Sequence, residues 1–325
     1  MRAIQHQENR ALRGESLIST RYHFYNISVE VRAHDSSLNK RLINMLDYVY
    51  ARFVTEGEGE ADFLIEFTDQ RKHFSAFVRA GLNSSTFDSW PLASLVSSDP
   101  NKGGLYKVRG GLGFHELLRS IYHTILAFVL INLDDFLQVH AGAVAKGKTG
   151  IIFPGGSGSG KTTLVFGLTR AGYNFLSDEI CFIDPSDLTV SPFPRSVFLR
   201  KDVVDLFGDL KVGRLRGDIF ATYEKKCLIE IEENAVYPED PPANIGFIIF
   251  PNYRPGERAS IKEVPGVEAL ARLVSTESVL NMMHPGADQG KALDSISALV
   301  TNVPCLELTS SSIDDAATII DGLID

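Results

Sequence analysis

Cysteine, tryptophan and methionine are scarce in this chain, at three, one and four among 325 residues. Cys181, Cys227 and Cys305 stand far apart, with no CxxC pair and no histidine close by. That spacing excludes a disulfide framework and a zinc site, and leaves structural thiols as the expectation. Basic charge is also in deficit: 32 Lys and Arg against 41 Asp and Glu give a formal net charge of -9. Wholesale attraction to nucleic acid or to an anionic membrane surface is therefore not expected. Long apolar runs are missing too. The most apolar stretch, "IYHTILAFVLINL" at 121–133, has a histidine inside it and "DD" directly after it. It falls short of the roughly 18 uninterrupted residues that a bilayer crossing demands, so it reads as a core helix. The opening "MRAIQHQENRALRGES" lacks the apolar centre of a secretory signal, and a cytoplasmic, reducing location is the expectation. No internal repeat and no low-complexity segment stands out.

What remains is ordinary globular material, with 44% hydrophobic and 22% charged residues. The length suggests two domains, read here as 1–112 and 113–325. In the first, "YHFYNISVEVRAH" reads as a strand, "SLNKRLINMLDYVYARFV" has helical spacing, and "ADFLIEFTD", "HFSAFVRAG" and "LYKVRGG" read as further strands. Turns are marked by "NSS", "SSDPNKGG" and "RGGLG". A small α+β domain is implied.

A long helix over "FHELLRSIYHTILAFVLINLDDF" would open the second domain. Then "QVHAGAVAKGKTGIIFPGG" divides into two strands around a glycine turn, a helix runs through "TTLVFGLTRAG", and "NFLSDEICFID" reads as a strand. Strands at "KCLIEIEE", "NIGFIIFP" and "PCLELT" and helices in "GVEALARLVSTESVLNMM" and "SIDDAATIIDGLI" complete an α/β arrangement.

Gly155 to Thr162, "GGSGSGKT", fits G-x-x-x-x-G-K-[ST] at every fixed position and lies between a strand and a helix. Gly155, Gly156, Gly158 and Gly160 allow the backbone amides to turn inward as an anion nest, with Ser157 and Ser159 as small fillers that can also donate. Lys161 would neutralise the outer phosphates, Thr162 would ligate Mg²⁺, and Thr163 completes the nucleotide-contacting set. The guanine motif NKxD is absent, so ATP is expected by elimination.

Seventeen residues past Lys161 come Asp178 and Glu179. On a strand returning beside the loop strand, two carboxylates would stand near the phosphates and could divide the work. Asp178 is the candidate base that takes the proton of an attacking hydroxyl, and Glu179 the candidate for the Mg²⁺ side, with the two roles interchangeable. Arg195, Lys225, Lys226 and Arg254 are candidate clamps for charge on a transferred phosphoryl group, Arg254 being favoured because "NYRPG" reads as a turn after a buried strand. His284 marks a loop. A nucleotide sensor without chemistry and an ATP hydrolase are the alternatives to a kinase.

The order "VHAGAVAKGKTGIIFPGGSGSGKTTL" and then "RAGYNFLSDE" resembles the HPr kinase/phosphorylase family and its stand-alone relatives. That family has a histidine before the loop, a phosphate loop, an Arg-Gly-type turn and paired acids. His140, Gly155 to Thr162, Arg170 with Gly172, and Asp178 with Glu179 take the matching places here. The resemblance covers about fifty residues. It implies a P-loop kinase domain of the HPr kinase/phosphoenolpyruvate carboxykinase type behind a smaller N-terminal α+β domain, and family members often assemble as homo-oligomers. It further implies ATP- and Mg²⁺-dependent phosphorylation of a serine-type hydroxyl on a peptide, protein or small molecule, with the first acid as base and His140 near the acids and phosphates. Two departures turn the expectation away from HPr as acceptor and from the reverse, phosphorolytic reaction. The acids are Asp-Glu rather than Asp-Asp, with Thr163 where the family has glutamate, and the family's later substrate signature is not recognisable in "KDVVDLFGDLKVGRLRGDIF".

Overall fold

The computed structural model describes residues 16–324 except 68–72, 84–92, 100, 102, 110–112, 157, 208–212, 216–225, 233, 235, 276–277 and 281–287. Ser157, Lys225 and His284 therefore lie outside the described residues. The chain forms two compact units, Met1–Asn132 and Leu133–Asp325.

In the first unit, β1 (Leu17–Phe24) and β2 (Ile27–His34) form an antiparallel hairpin, followed by α1 (Ser37–Val49), β3 (Phe63–Phe67), β4 (His73–Val78), β5 (Ala93–Asp99), β6 (Gly103–Arg109) and α2 (Phe114–Asn132). One six-stranded sheet results, in the order β1-β2-β3-β4-β6-β5, with only β2 and β3 parallel. The single strand expected over "YHFYNISVEVRAH" is thus the end of one strand and the whole of the next. Tyr25 takes φ 55° to make the turn, a left-handed conformation that a tyrosine rarely signals from sequence. Residues 93–99 are a further strand that the sequence reading did not include, and it ends inside "SSDPNKGG", residues 97–104. Helix α1 is capped by the Ser36 hydroxyl, which accepts from the Asn39 amide, and it buries Leu42, Ile43, Met45, Leu46 and Val49 at helical spacing.

Helix α2 belongs to this unit, which moves the boundary from 112/113 to 132/133. The cause is packing. Phe128 stacks on Phe63 of β3 with ring centroids 4.2 Å apart, and Tyr122 stacks on Tyr50 at 5.9 Å. Among the described residues, α2 is the one helix long and apolar enough to cross a membrane, since its apolar character extends back beyond residue 121. Leu117, Leu118, Ile121, Ile125, Phe128 and Val129 are buried, as in a core helix.

The second unit starts with β7 (Leu137–Val139), His140, β8 (Ala141–Lys146) and β9 (Thr149–Pro154), and β9 runs through the glycine loop into α3 (Lys161–Arg170). Next come β10 (Asn174–Ser177), β11 (Cys181–Asp184), β12 (Thr189–Ser191), β13 (Val197–Arg200), α4 (Lys201–Leu206), β14 (Gly213–Leu215), β15 (Lys226–Ile231) and β16 (Ala243–Tyr253). The chain ends in β17 (Ser260–Glu263), α5 (Gly266–Ser275), α6 (Gln289–Asn302), β18 (Cys305–Ser310) and α7 (Ile313–Ile324). A mixed α/β unit results. Its nine-stranded sheet runs β10-β8-β9-β16-β12-β11-β7 with β18 on β16 and β17 on β18, and β13-β15-β14 form a second sheet.

Two features of that order differ from expectation. The stretch "NFLSDEICFID" is two strands, broken at Asp178–Ile180, and β10 pairs antiparallel with β8 rather than lying beside the loop strand β9. Loop strand β9 instead has β8 on one side and, in parallel, β16 on the other. Alternation along the strands sends Ala143, Ile152 and Ile248 to a core shared with α5 and α6. Val144, Ile151, Phe153 and Ile249 go to a core shared with α3 and α7.

Helices α3 and α7 approach closely at Gly167, where an added Cβ would lie 2.3 Å from Ile313 Cγ2. Gly167→Ala should therefore destabilise the protein by about 1–3 kcal/mol in urea unfolding, despite alanine's better helix propensity. Trimming Ile313 to alanine in that background should recover part of the loss, which a propensity effect would not do.

Candidate functional site

Two strand breaks face each other across one antiparallel ladder. Ser177 pairs with Ala143 on one side of the break and Cys181 with Val139 on the other, so Asp178–Ile180 stands opposite His140–Gly142. The Ser177 hydroxyl closes the break: it donates to the Ile180 carbonyl at 2.6 Å and accepts from the Ile180 amide at 3.3 Å. It supplies bonds that the ladder lacks there, and so holds two consecutive acids off the strand.

The glycine loop delivers the partners of these acids. Gly158 and Gly160 have φ of 83° and 93°, in the left-handed region, and Gly160 caps α3 by accepting from the Leu164 amide at 2.9 Å. Lys161, Thr162 and Thr163 form the first turn of α3, where backbone amides lack intrahelical partners and the helix dipole is positive. Lys161 is 7% exposed, and its ammonium donates to the carbonyls of Gly155 at 2.5 Å and Gly156 at 3.1 Å. Burial lowers its pKa, while Asp178 and Glu179 act in the opposite sense.

Asp178 is hydrogen-bonded to Thr162 and lies within electrostatic reach of Glu179, Arg195 and Lys161. Its Oδ1 is buried without a hydrogen-bond partner, as is the Ser159 hydroxyl in the loop. Burial first, and then the Glu179 charge, raise the Asp178 pKa from an ordinary 3.8 to about 6. Glu179, about 40% exposed, is ion-paired with Arg195, which is 5% exposed and lies over the Phe193 ring at 5.7 Å. His140 donates its backbone N–H to Ser278 at 2.6 Å, and its imidazole is hydrogen-bonded to the Glu179 backbone. Burial, followed by the Lys161 charge, lowers the His140 pKa and keeps the ring neutral at pH 7.

Lys161, Thr162, Asp178, Glu179, His140 and Arg195 are thus brought together from the loop helix, the two strand breaks and the β12–β13 connection. Of the candidate clamps, Arg195 stands in this group. "PFPRS" is a short connection whose prolines stiffen the return of the chain into the site, and that was the available signal. Arg254 follows Tyr253 at the end of β16 and donates its amide to Ser310 at 2.9 Å. Arg170 is outside the group: it bonds the Phe207 carbonyl at 2.7 Å and lies over that ring. Lys226 is the first residue of β15. Cys181 and Cys305 are buried, and desolvation raises both thiol pKa values, Cys305 to about 11. Cys227 is half-buried, and none of the three is joined in a disulfide.

Among the described residues there is no group of three or more His, Cys, Asp or Glu able to cage a metal. The Thr162 hydroxyl, with the nearby Glu179 carboxylate as second donor, fits a different set, that of a magnesium ion held by few protein ligands and completed by phosphate and water. No family model matches the chain, and no curated protein matches it.

Proposed function

We propose that the second unit is an ATP- and Mg²⁺-dependent kinase of the HPr kinase-like type, transferring the γ-phosphoryl group to a serine-type hydroxyl on a peptide, protein or small molecule. The observation that carries the reading is a buried carboxylate with a pKa near 6, hydrogen-bonded to the loop threonine and close to the loop lysine. A nucleotide sensor has no use for such a group, whereas a hydroxyl nucleophile needs a proton acceptor.

The nest amides and Lys161 would hold the phosphates, and Thr162 would hold the metal, with Glu179 exchanging Arg195 for it or remaining paired. Mg²⁺, when bound, would supply neutralisation of the phosphate charge. Asp178 would accept the hydroxyl proton as the acceptor oxygen bonds to the γ-phosphorus and the bond to the ADP oxygen breaks. Arg195, beside both acids, would limit their mutual repulsion, and His140 would brace Glu179 through its backbone.

Incubation with γ-labelled ATP, Mg²⁺ and an extract of the source cells, followed by mass spectrometry, tests the reading. Label on a serine-type hydroxyl is expected. Label released only as inorganic phosphate would favour a hydrolase, and unconsumed ATP a sensor.

A further inference from the structure

On the kinase reading, the acids and the loop would hold one end of a bound triphosphate, and the flank of β9 away from the acids is where the other end would be received. Asp178 lies on the β8/β10 flank of the loop strand β9, so a γ-phosphoryl group near Asp178 directs the nucleoside toward the opposite flank, where β16 runs parallel to β9. Strand β16 ends beside the loop. A Cβ built on Gly160 would lie 3.7 Å from Tyr253 Cβ, and Tyr253, the last residue of β16, is 59% exposed. Its backbone is fixed by the ladder to Ser310 of β18 and by the next residue's amide bond to the Ser310 carbonyl. An aromatic ring with this much exposed surface, on a backbone held against the phosphate loop, is unusual for a packing residue. Phe153, Phe166 and Tyr173 of the same unit are fully buried, and Tyr237 is 46% exposed.

Resting on the kinase reading, we propose that Tyr253 is the platform on which the nucleobase stacks. Stacking needs a π-face and no base-specific hydrogen bond, so a site built this way accepts either purine. It fits a chain that carries the phosphate loop without the NKxD guanine motif.

Isothermal titration of the full chain with Mg²⁺-ATP, Mg²⁺-GTP and Mg²⁺-tripolyphosphate, which lacks base and sugar, tests the assignment. Tyr253→Ala should weaken ATP and GTP alike by about tenfold and leave tripolyphosphate within about twofold, while Tyr253→Phe should bind all three as wild type does. Equal weakening of all three ligands by Tyr253→Ala would make Tyr253 a support of the loop and overturn the platform. Unchanged ATP binding in Tyr253→Ala would overturn it too, with the kinase reading intact. Wild-type protein that binds none of the three would overturn both.

Discussion

Asp178→Asn should lower the rate of phosphoryl transfer by about a thousandfold and leave Mg²⁺-ATP affinity within a few-fold of wild type. Asparagine keeps the size of the side chain and an oxygen for Thr162, but it cannot take a proton, and a positioned general base contributes roughly 10²–10⁴ in rate. Rate measurement beside nucleotide titration separates the two effects. The variant should also be more stable than wild type at neutral pH. The Asp178 pKa is raised in the folded protein, from 3.8 to about 6, so the folded state favours the protonated form. Its contribution to stability is complete below pH 4 and is lost as pH rises through 6, at a cost of up to about 3 kcal/mol at pH 7. Asparagine removes that cost. Thermal melts should therefore place Asp178→Asn above wild type at pH 7.5, with the gap closing by pH 4. In wild type, the same ionisation predicts transfer activity that falls below about pH 6 as the base becomes protonated.

Arg195→Ala should be the next most damaging change. It removes the cation paired with Glu179 and leaves two adjacent carboxylates with Lys161 as their remaining nearby cation. The Asp178 pKa should climb further, carrying the acid limb of the rate profile upward by about one pH unit, and transfer at pH 7 should fall about a hundredfold. Stability should fall by about 1–3 kcal/mol, less than for a fully buried pair because Glu179 reaches solvent. Arg195→Lys should restore the position of the acid limb better than the rate, since an ammonium replaces the charge without the planar fork of the guanidinium. A merely structural arginine would change stability and leave the acid limb where it was.

The sequence made the loop and its acids legible because each residue there is dictated by local chemistry: glycines for left-handed backbone, a lysine and a threonine at fixed places, two acids after a helix. It did not show how the acids reach the loop. A continuous strand was the natural reading of "NFLSDEICFID", since apolar residues flank the acids on both sides. The break depends on Ser177 bonding back to Ile180 and on a partner strand that breaks at His140, and the second condition is set by pairing across the chain. Arg195 was legible as a residue and not as a neighbour, because its place depends on how the connection from β12 to β13 folds back over Glu179. The reassignment of helix α2 has a similar cause. Phe128 and Tyr122 commit the helix to the first unit through rings on β3 and after α1, while its own periodicity fits either neighbour. Hairpin β1–β2 was hidden by a tyrosine in a conformation usually left to glycine or asparagine.

Titration of the side-chain carboxyl carbons by ¹³C NMR, comparing wild type with Asp178→Asn, tests most directly whether the fold has turned Asp178 into a base. One aspartate signal titrating near pH 6, and missing from the variant, is the predicted result. A spectrum in which the Asp178 signal titrates with the ordinary aspartates near pH 4 would contradict it.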